Sequence, residues 1–397
     1  MRIVIVGAGQ AGAALAAKLR GLGHIGHLTL IGGEPAPPYQ RPPLSKAYLL
    51  GEMPEERLWL RAPDFWAESA IDMRLGHPVT AIDRTARTVT VAGEAIPYDQ
   101  LALTTGSAAR RLPADIGGEL PGVYTVRTLA DVDAMRTEFR PGARAVVIGG
   151  GYIGLEAAAV ATKFGVEVTL VEAAPRILQR VAAPETSLHI AGLHQSRGVT
   201  ILEDTRLDRL VGSDRVHSVR LADGRELPAD FVISGIGITP GTALAEAAGL
   251  AIQNGIATDE MGRTTDPNIW AAGDCASFPW RGGRIRLESV GNAIDQAEAV
   301  AANMLGAEQP YVAKPWFWSD QYDLKLQIAG LNAGYDRVVT RPGPPPSFWY
   351  YRGDELLAVD SMGDARAYMV GKRLIEGGRS PDPALVATAP DLKALMA

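Results

Sequence analysis

The sequence predicts an α/β protein: two βαβ units of one design, followed by a smaller α+β unit. Three observations predict it. The first is a repeat. Arg2–Gly12 reads RIVIVGAGQAG and Arg144–Gly154 reads RAVVIGGGYIG. Each is a β-branched run that ends in Gly-x-Gly-x-x-Gly and opens an alanine-rich helical stretch. The second is an acidic residue about twenty positions beyond each turn, Glu34 and Glu172. The third is a change of pattern after about Lys314, where strand-like runs replace the βαβ alternation.

The repeated turn has a chemical meaning. Gly7 and Gly149 permit the tight strand-to-helix turn. Gly9 and Gly151 let the backbone approach a pyrophosphate. Gly12 and Gly154 let helix and strand pack closely. The helix N-terminus then offers free N–H groups and partial positive charge to phosphates. One such turn is weak evidence for a ligand. Two in matching contexts predict two Rossmann-like dinucleotide-binding domains, with electrons passing from one dinucleotide to the other.

The elements follow in order. Strand Ile3–Val6, helix Ala11–Leu22 and strand Leu28–Ile31 start the first unit. Glu34 follows, either as a partner for a ribose hydroxyl pair or as a solvated loop residue; the turn upstream favours the ribose. Thr88–Val91 and Ala95–Pro97 read as a hairpin through Gly93-Glu94, and Leu101–Thr105 as a strand. The second unit repeats the design with strand Ala145–Ile148, helix Tyr152–Phe164 and strand Glu167–Val171, ending at Glu172. Asp223-Gly224 joins Val216–Leu221 to Glu226–Leu227, and Phe231–Ser234 is a further strand. Ile269–Asp274, a strand ending in Gly-Asp, implies a return to the first unit. Residues 1–109 and 241–315 are therefore expected to form one discontinuous domain, 110–240 a second and 316–397 a third. The last holds strands Lys325–Ala329, Ser347–Tyr351 and Leu356–Ser361 and helix Ala365–Glu376. Residues beyond Pro381 are expected to form a loosely held tail.

Composition narrows the function. The chain has 397 residues, enough for more than one domain, with 47% hydrophobic and 21% charged residues. No apolar run reaches the ~20 residues of a membrane span. A net charge of −6 argues against nucleic acid. A single cysteine, Cys275, excludes an internal disulfide or a Cys-x-x-Cys pair. It reads as a small buried residue in a reducing compartment, so a cytoplasmic location is expected. The first residues enter a strand at once, so no signal or transit peptide is expected. The six histidines lack metal-ligand spacing and read as ordinary surface or core residues; no metal is expected.

Further motifs carry a resemblance. They are Arg41-Pro42-Pro43-Leu44-Ser45-Lys46, Thr104-Thr105-Gly106, Ala272-Gly273-Asp274-Cys275, Leu287-Glu288-Ser289-Val290 and Phe317-Trp318-Ser319-Asp320-Gln321. With the two glycine turns, the whole chain resembles the FAD-dependent NADH:ferredoxin reductases of bacterial oxygenase systems. These belong to the pyridine nucleotide–disulfide oxidoreductase superfamily, with its glutathione-reductase-like fold. The resemblance implies noncovalent FAD, NADH and an iron–sulfur ferredoxin partner. It places FAD against Gly7, Gly9, Gly12, Glu34, Arg41, Lys46, Val79, Thr105, Gly106, Arg127, Gly273, Asp274, Val290 and Trp318. It places NADH against Gly149, Gly151, Ile153, Gly154, Glu156, Glu172, Gly237 and Glu288. Lys46 and Glu156 are the implied catalytic pair. Pro240-Gly241 departs from the family's Pro-Asn pair.

Other readings stay open at this level. Lys46 alone would read as a solvated lysine, and Trp318 as core. Rubredoxin reductases and apoptosis-inducing-factor-like NADH oxidoreductases share much of the pattern. A thiol-based peroxidase or disulfide reductase would need a redox cysteine near Pro43–Lys46, and none is there. An acidic ferredoxin would need a local basic surface. Arg281, Arg284 and Arg286 form one candidate run and Lys372 with Arg373 another, each equally readable as a solvated face.

Overall fold

The computed structural model describes residues 1–396 and divides the chain into two compact units. Unit 1 gathers Met1–Gln40, Pro54–Ala108 and Thr239–Pro315; unit 2 gathers Arg41–Met53, Ala109–Ile238 and Trp316–Ala397.

Unit 1 is built on a five-stranded parallel sheet. Its order is Ile269–Ala271, Gln100–Leu103, Ile3–Val6, Leu28–Ile31, Asp72–Arg74. The central strand is apolar throughout because both faces are covered. Ile3 and Ile5 point into one core with Leu15 and Leu19 of helix Gln10–Gly21 and Ala297 and Val300 of helix Val290–Met304. Val4 and Val6 point into the other, with Val89, Val91 and Ile96. Those three belong to the Thr88–Pro97 hairpin, which gains a third strand, Val79–Asp83. All five parallel strands end on one edge, so Gly7, Thr104 and Ala272 line the same rim. The strand predicted to reach Thr105 stops at Leu103, because the Thr104 hydroxyl turns to the Gly7 carbonyl, 2.8 Å away.

Unit 2 holds a second five-stranded parallel sheet. Its order is Thr200–Leu202, Glu167–Val171, Arg144–Ile148, Phe231–Ser234, Val123–Tyr124. A three-stranded antiparallel sheet, Leu207–Gly212, Val216–Leu221 and Glu226–Pro228, shares its core through Val219 and Leu221. The C-terminal part is a five-stranded antiparallel sheet ordered Trp316–Gln321, Leu324–Gly330, Glu355–Met362, Ser347–Arg352, Arg337–Arg341. Helix Ala365–Glu376 covers it.

The expected loose tail is a correction. Pro383–Thr388 is a helix capped by the Asp382 carboxylate, and Val386, Leu392 and Leu395 are buried with Trp349 and Leu374. Polar spacing around the three apolar residues hid one anchored turn after another. Helix Pro184–Ser196 and strand Trp316–Gln321 are further elements beyond those the sequence predicts.

Candidate functional site

The first glycine turn opens unit 1. Gly7 adopts φ +112°, and a Cβ there would sit 2.1 Å from the Thr104 carbonyl oxygen. A Cβ on Gly12 would sit 1.9 Å from the Gly7 oxygen, so helix Gln10–Gly21 can approach only as built. Gly9 has the opposite character. Nothing lies within 4 Å of its ideal Cβ, and no side chain caps the helix it begins. The helix N-terminus is thus free to receive an anion.

Acceptors and donors gather on the same rim. Tyr39 donates to the Glu34 carboxylate at 2.6 Å, and Ser107 to Asp274 at 2.7 Å. The Gly273 N–H donates to the buried Gln296 carbonyl at 2.9 Å. Thr105 Oγ1 and the Gly106 carbonyl hold the backbone of Gly241, at 2.5 and 2.8 Å. A Cβ at 241 would come within 2.8 Å of the Thr105 oxygen. Val79 begins its strand and Val290 begins its helix.

The second turn repeats the geometry in unit 2. Gly149 has φ +103°, and its Cβ would strike the Gly235 oxygen at 2.6 Å. Gly154 packs against the Gly149 oxygen. Gly151 begins helix Tyr152–Lys163 with no side-chain cap, and Ile153 beside it is 42% exposed. The Glu172 carboxylate accepts from Gly150 N and Ala174 N, both at 2.7 Å. Glu172 is therefore held rigidly at the end of its strand, facing the turn.

One turn into that helix lies Glu156, at the centre of a buried polar cluster. Pro42 and Pro43 set a tight 3-10 turn, anchored by the buried Leu44. It presents Ser45 and Lys46 side by side. Lys46 Nζ is 2.8 Å from Glu156 Oε2, and Ser45 Oγ donates to the same oxygen at 2.5 Å. Ser319 Oγ donates to Oε1 at 2.6 Å. Glu156 is 2% exposed and the Lys46 side chain 17%, so this pair is largely out of water. Tyr152, on the same helix, has a buried hydroxyl without a hydrogen-bond partner among the described residues. Burial pushes its pKa well above the usual phenol range.

The matches to known proteins agree along the whole chain. Residues 1–297 match the family model described as pyridine nucleotide-disulphide oxidoreductase, and 316–396 match reductase C-terminal. The chain belongs to the pyridine nucleotide-disulphide oxidoreductase family. A ferredoxin–NAD(P)(+) reductase of Sphingomonas sp is 44% identical, over 99% of this chain and 97% of its own. Putidaredoxin reductase CamA of Pseudomonas putida is 42% identical, over 97% and 94%. A solved covalent complex of putidaredoxin reductase with putidaredoxin superposes with TM-score 0.96 at 41% identity, covering 100% of this chain and 98% of that one.

The chain carries no second cysteine with which to form an internal disulfide. Its one cysteine, Cys275, is fully buried and donates to the Leu103 and Ala272 carbonyls. Burial raises its thiol pKa, which keeps it inert.

The other sequence-predicted residues distribute as follows. Gly7, Gly9, Gly12, Glu34, Val79, Thr105, Gly106, Gly273, Asp274, Glu288 and Val290 lie in unit 1. Arg41, Lys46, Arg127, Gly149, Gly151, Ile153, Gly154, Glu156, Glu172, Gly237 and Trp318 lie in unit 2. Arg41 donates to the Arg127 carbonyl at 2.6 Å. Glu288 pairs with Arg286 at 2.5 Å. Trp318 stacks on Trp316, ring centres 5.4 Å apart, on the strand face opposite Ser319. The basic runs need correction as surfaces. Arg284 donates inward to the Thr258 carbonyl at 2.7 Å, and the Arg286 side chain is only 11% exposed. Lys372 lies over the Trp316 ring and 3.7 Å from Glu376. Arg281 and Arg373 remain exposed.

The sequence shows Ser45 and Ser319 only as members of their motifs, and His194 only as one of six histidines that read as surface or core. The available signal was the alternation in Trp316–Gln321. It puts Phe317, Ser319 and Gln321 on one face of the strand, where Phe317 meets the Tyr152 ring and Ser319 meets Glu156.

Proposed function

We propose that this protein is an NADH-dependent flavoprotein reductase that passes electrons from NADH through noncovalent FAD, one at a time, to a [2Fe–2S] ferredoxin feeding an oxygenase. The observation that carries the reading is two glycine turns, each with an uncapped helix N-terminus, on a chain whose one thiol is sealed in a core. Electrons have no thiol relay and must leave by the flavin.

The roles follow from chemistry. Gly7, Gly9, Gly12, Glu34 and Asp274 suit FAD: backbone N–H groups for the pyrophosphate and carboxylates for hydroxyls. Gly149, Gly151, Gly154 and Glu172 suit NADH, with Glu172 bonding the ribose 2′-hydroxyl and repelling a 2′-phosphate. Bound FAD supplies the conversion of one hydride into two single electrons. The balance is one NADH and two oxidised ferredoxins giving NAD+, two reduced ferredoxins and one proton. Glu156, one turn into the helix that Gly151 begins, and its partner Lys46 would suit the nicotinamide end of the coenzyme. We assign 1–109 with 241–315 to FAD, 110–240 to NADH and 316–397 to the C-terminal domain. The lone buried thiol fits the cytoplasm. Among the described residues no helix is long and apolar enough to cross a membrane.

An anaerobic titration tests the reading. One equivalent of NADH should bleach the flavin of the purified protein, and added ferredoxin should be reduced in a 2:1 ratio to NADH. A flavin that NADH leaves oxidised would overturn it.

A further inference from the structure

Four side chains outside the Lys46–Glu156 pair form one line of hydrogen bonds that ends on Glu156. Ser319 Oγ donates to Glu156 Oε1 at 2.6 Å. Gln321 Nε2 donates to Ser319 Oγ at 3.0 Å. His194 Nε2 lies 2.8 Å from Gln321 Oε1, and Tyr322 Oη lies 3.2 Å from His194 Nδ1. Ser319, Gln321 and His194 are all fully buried.

The direction of every bond follows from the last one. An ionised carboxylate only accepts, so Ser319 must donate. Its oxygen then accepts the Gln321 N–H. The Gln321 carbonyl therefore faces His194, and Nε2 must carry the imidazole proton. Burial lowers the His194 pKa and keeps the ring neutral. Nδ1 then accepts from Tyr322. Every donor in the line points toward Glu156.

The line is not a proton wire. An amide in its middle cannot readily take a proton at its oxygen and release one from its nitrogen on each turnover. What it can transmit is orientation and charge. Ser45 and Lys46 hold Oε2 while the line holds Oε1, so both carboxylate oxygens are fixed. Among the described residues, Arg197 lies over the Tyr322 ring and pairs with Asp323, and Tyr152 sits on the Glu156 helix within electrostatic reach of its carboxylate.

We propose that His194 and Gln321 are positioning residues of the reductase: they lock the Ser319 hydroxyl on Glu156 and so aim Glu156 at Lys46. The proposal rests on the reading of unit 2 as the NADH-binding unit. It commits two helices and one strand to a single carboxylate rotamer. A residue that merely fills a core would not require a defined tautomer.

The test is stopped-flow reduction of the flavin by NADH under anaerobic conditions, with limiting rate and apparent NADH Kd read separately. His194→Phe and Gln321→Leu should each lower the limiting rate by up to about 10-fold, the upper end for the loss of a neutral hydrogen bond, and leave Kd within about 2-fold. His194→Gln keeps a donor at the Nε2 position and should restore the rate to within about 2-fold. The solvent deuterium effect should match that of the wild type. Unchanged limiting rates in His194→Phe and Gln321→Leu would overturn the proposal. So would a loss shared equally by His194→Gln, or one confined to Kd. If NADH fails to reduce the wild-type flavin, the functional reading itself has failed.

Discussion

Removing the Lys46 charge tests whether the pair is a working buried ion pair or an incidental contact. At 2.8 Å and an effective dielectric of ~20, two unit charges attract by about 6 kcal/mol. Desolvating a carboxylate this buried cancels several kcal/mol of that. The net coupling is about 2–3 kcal/mol. Lys46→Met should cost about 3 kcal/mol, the lower end for a broken buried pair, because Ser45 and Ser319 still donate to Glu156. Glu156→Leu alone strands the lysine, whose side chain keeps some water, and should cost less. The double variant should recover most of the loss. The assay is a double-mutant cycle in urea, followed by tryptophan fluorescence; Trp316 and Trp318 lie in the same unit as the pair. A coupling below about 0.5 kcal/mol, the value of an exposed pair, would refute the reasoning.

Three further outcomes follow from the same structure. Burial raises the Asp360 carboxyl to about 6, although Tyr350 and Thr186 donate to it. The folded pKa lies above the unfolded one, so the native state holds the extra proton; stability from this group is present at pH 4 and falls by roughly 3 kcal/mol as pH rises through 6. Asp360→Asn should remove that slope from urea midpoints measured between pH 4 and 7. Wild type should favour NADH over NADPH at least ~10-fold in kcat/KM, worth ~1.4 kcal/mol; Glu172→Ala should erode the preference, and equal use of both coenzymes by the wild type would sink the assignment. Arg281→Glu with Arg373→Glu should raise the KM for ferredoxin and leave ferricyanide reduction intact, whereas Arg284→Glu should lower the melting temperature, since Arg284 holds the Thr258 carbonyl.

The α/β class and both glycine turns were legible because their constraints are local. A Cβ on Gly7 or Gly149 collides with backbone from a neighbouring strand, so the pattern cannot drift. Strand Ile3–Val6 was legible because burial on both faces leaves only apolar residues, and Glu167–Val171 and Phe231–Ser234 because apolar residues dominate their buried positions. The Glu156 cluster was only half legible. Lys46 and Glu156 carried motif signals, and strand alternation places Ser319 and Gln321 on one face, but the segments of Ser45, His194 and Ser319–Gln321 are far apart in sequence, and nothing in their spacing says that they meet. The tail was misread because three anchoring residues, Val386, Leu392 and Leu395, are too few to show a period. The arginine runs were misread because charge in sequence does not say which way a guanidinium turns. Arg284 and Arg286 satisfy backbone carbonyls instead of facing solvent.

The central claim is that electrons leave this flavoprotein one at a time for an iron–sulfur protein. Its most direct test mixes the NADH-reduced enzyme, in a stopped-flow instrument, with either oxidised [2Fe–2S] ferredoxin or air-saturated buffer. The account predicts ferredoxin reduction at least ~100-fold faster than reoxidation by oxygen, with two ferredoxins reduced per flavin and a rate that falls as salt rises. Reoxidation by oxygen at the same rate or faster, with peroxide as the main product, would contradict it.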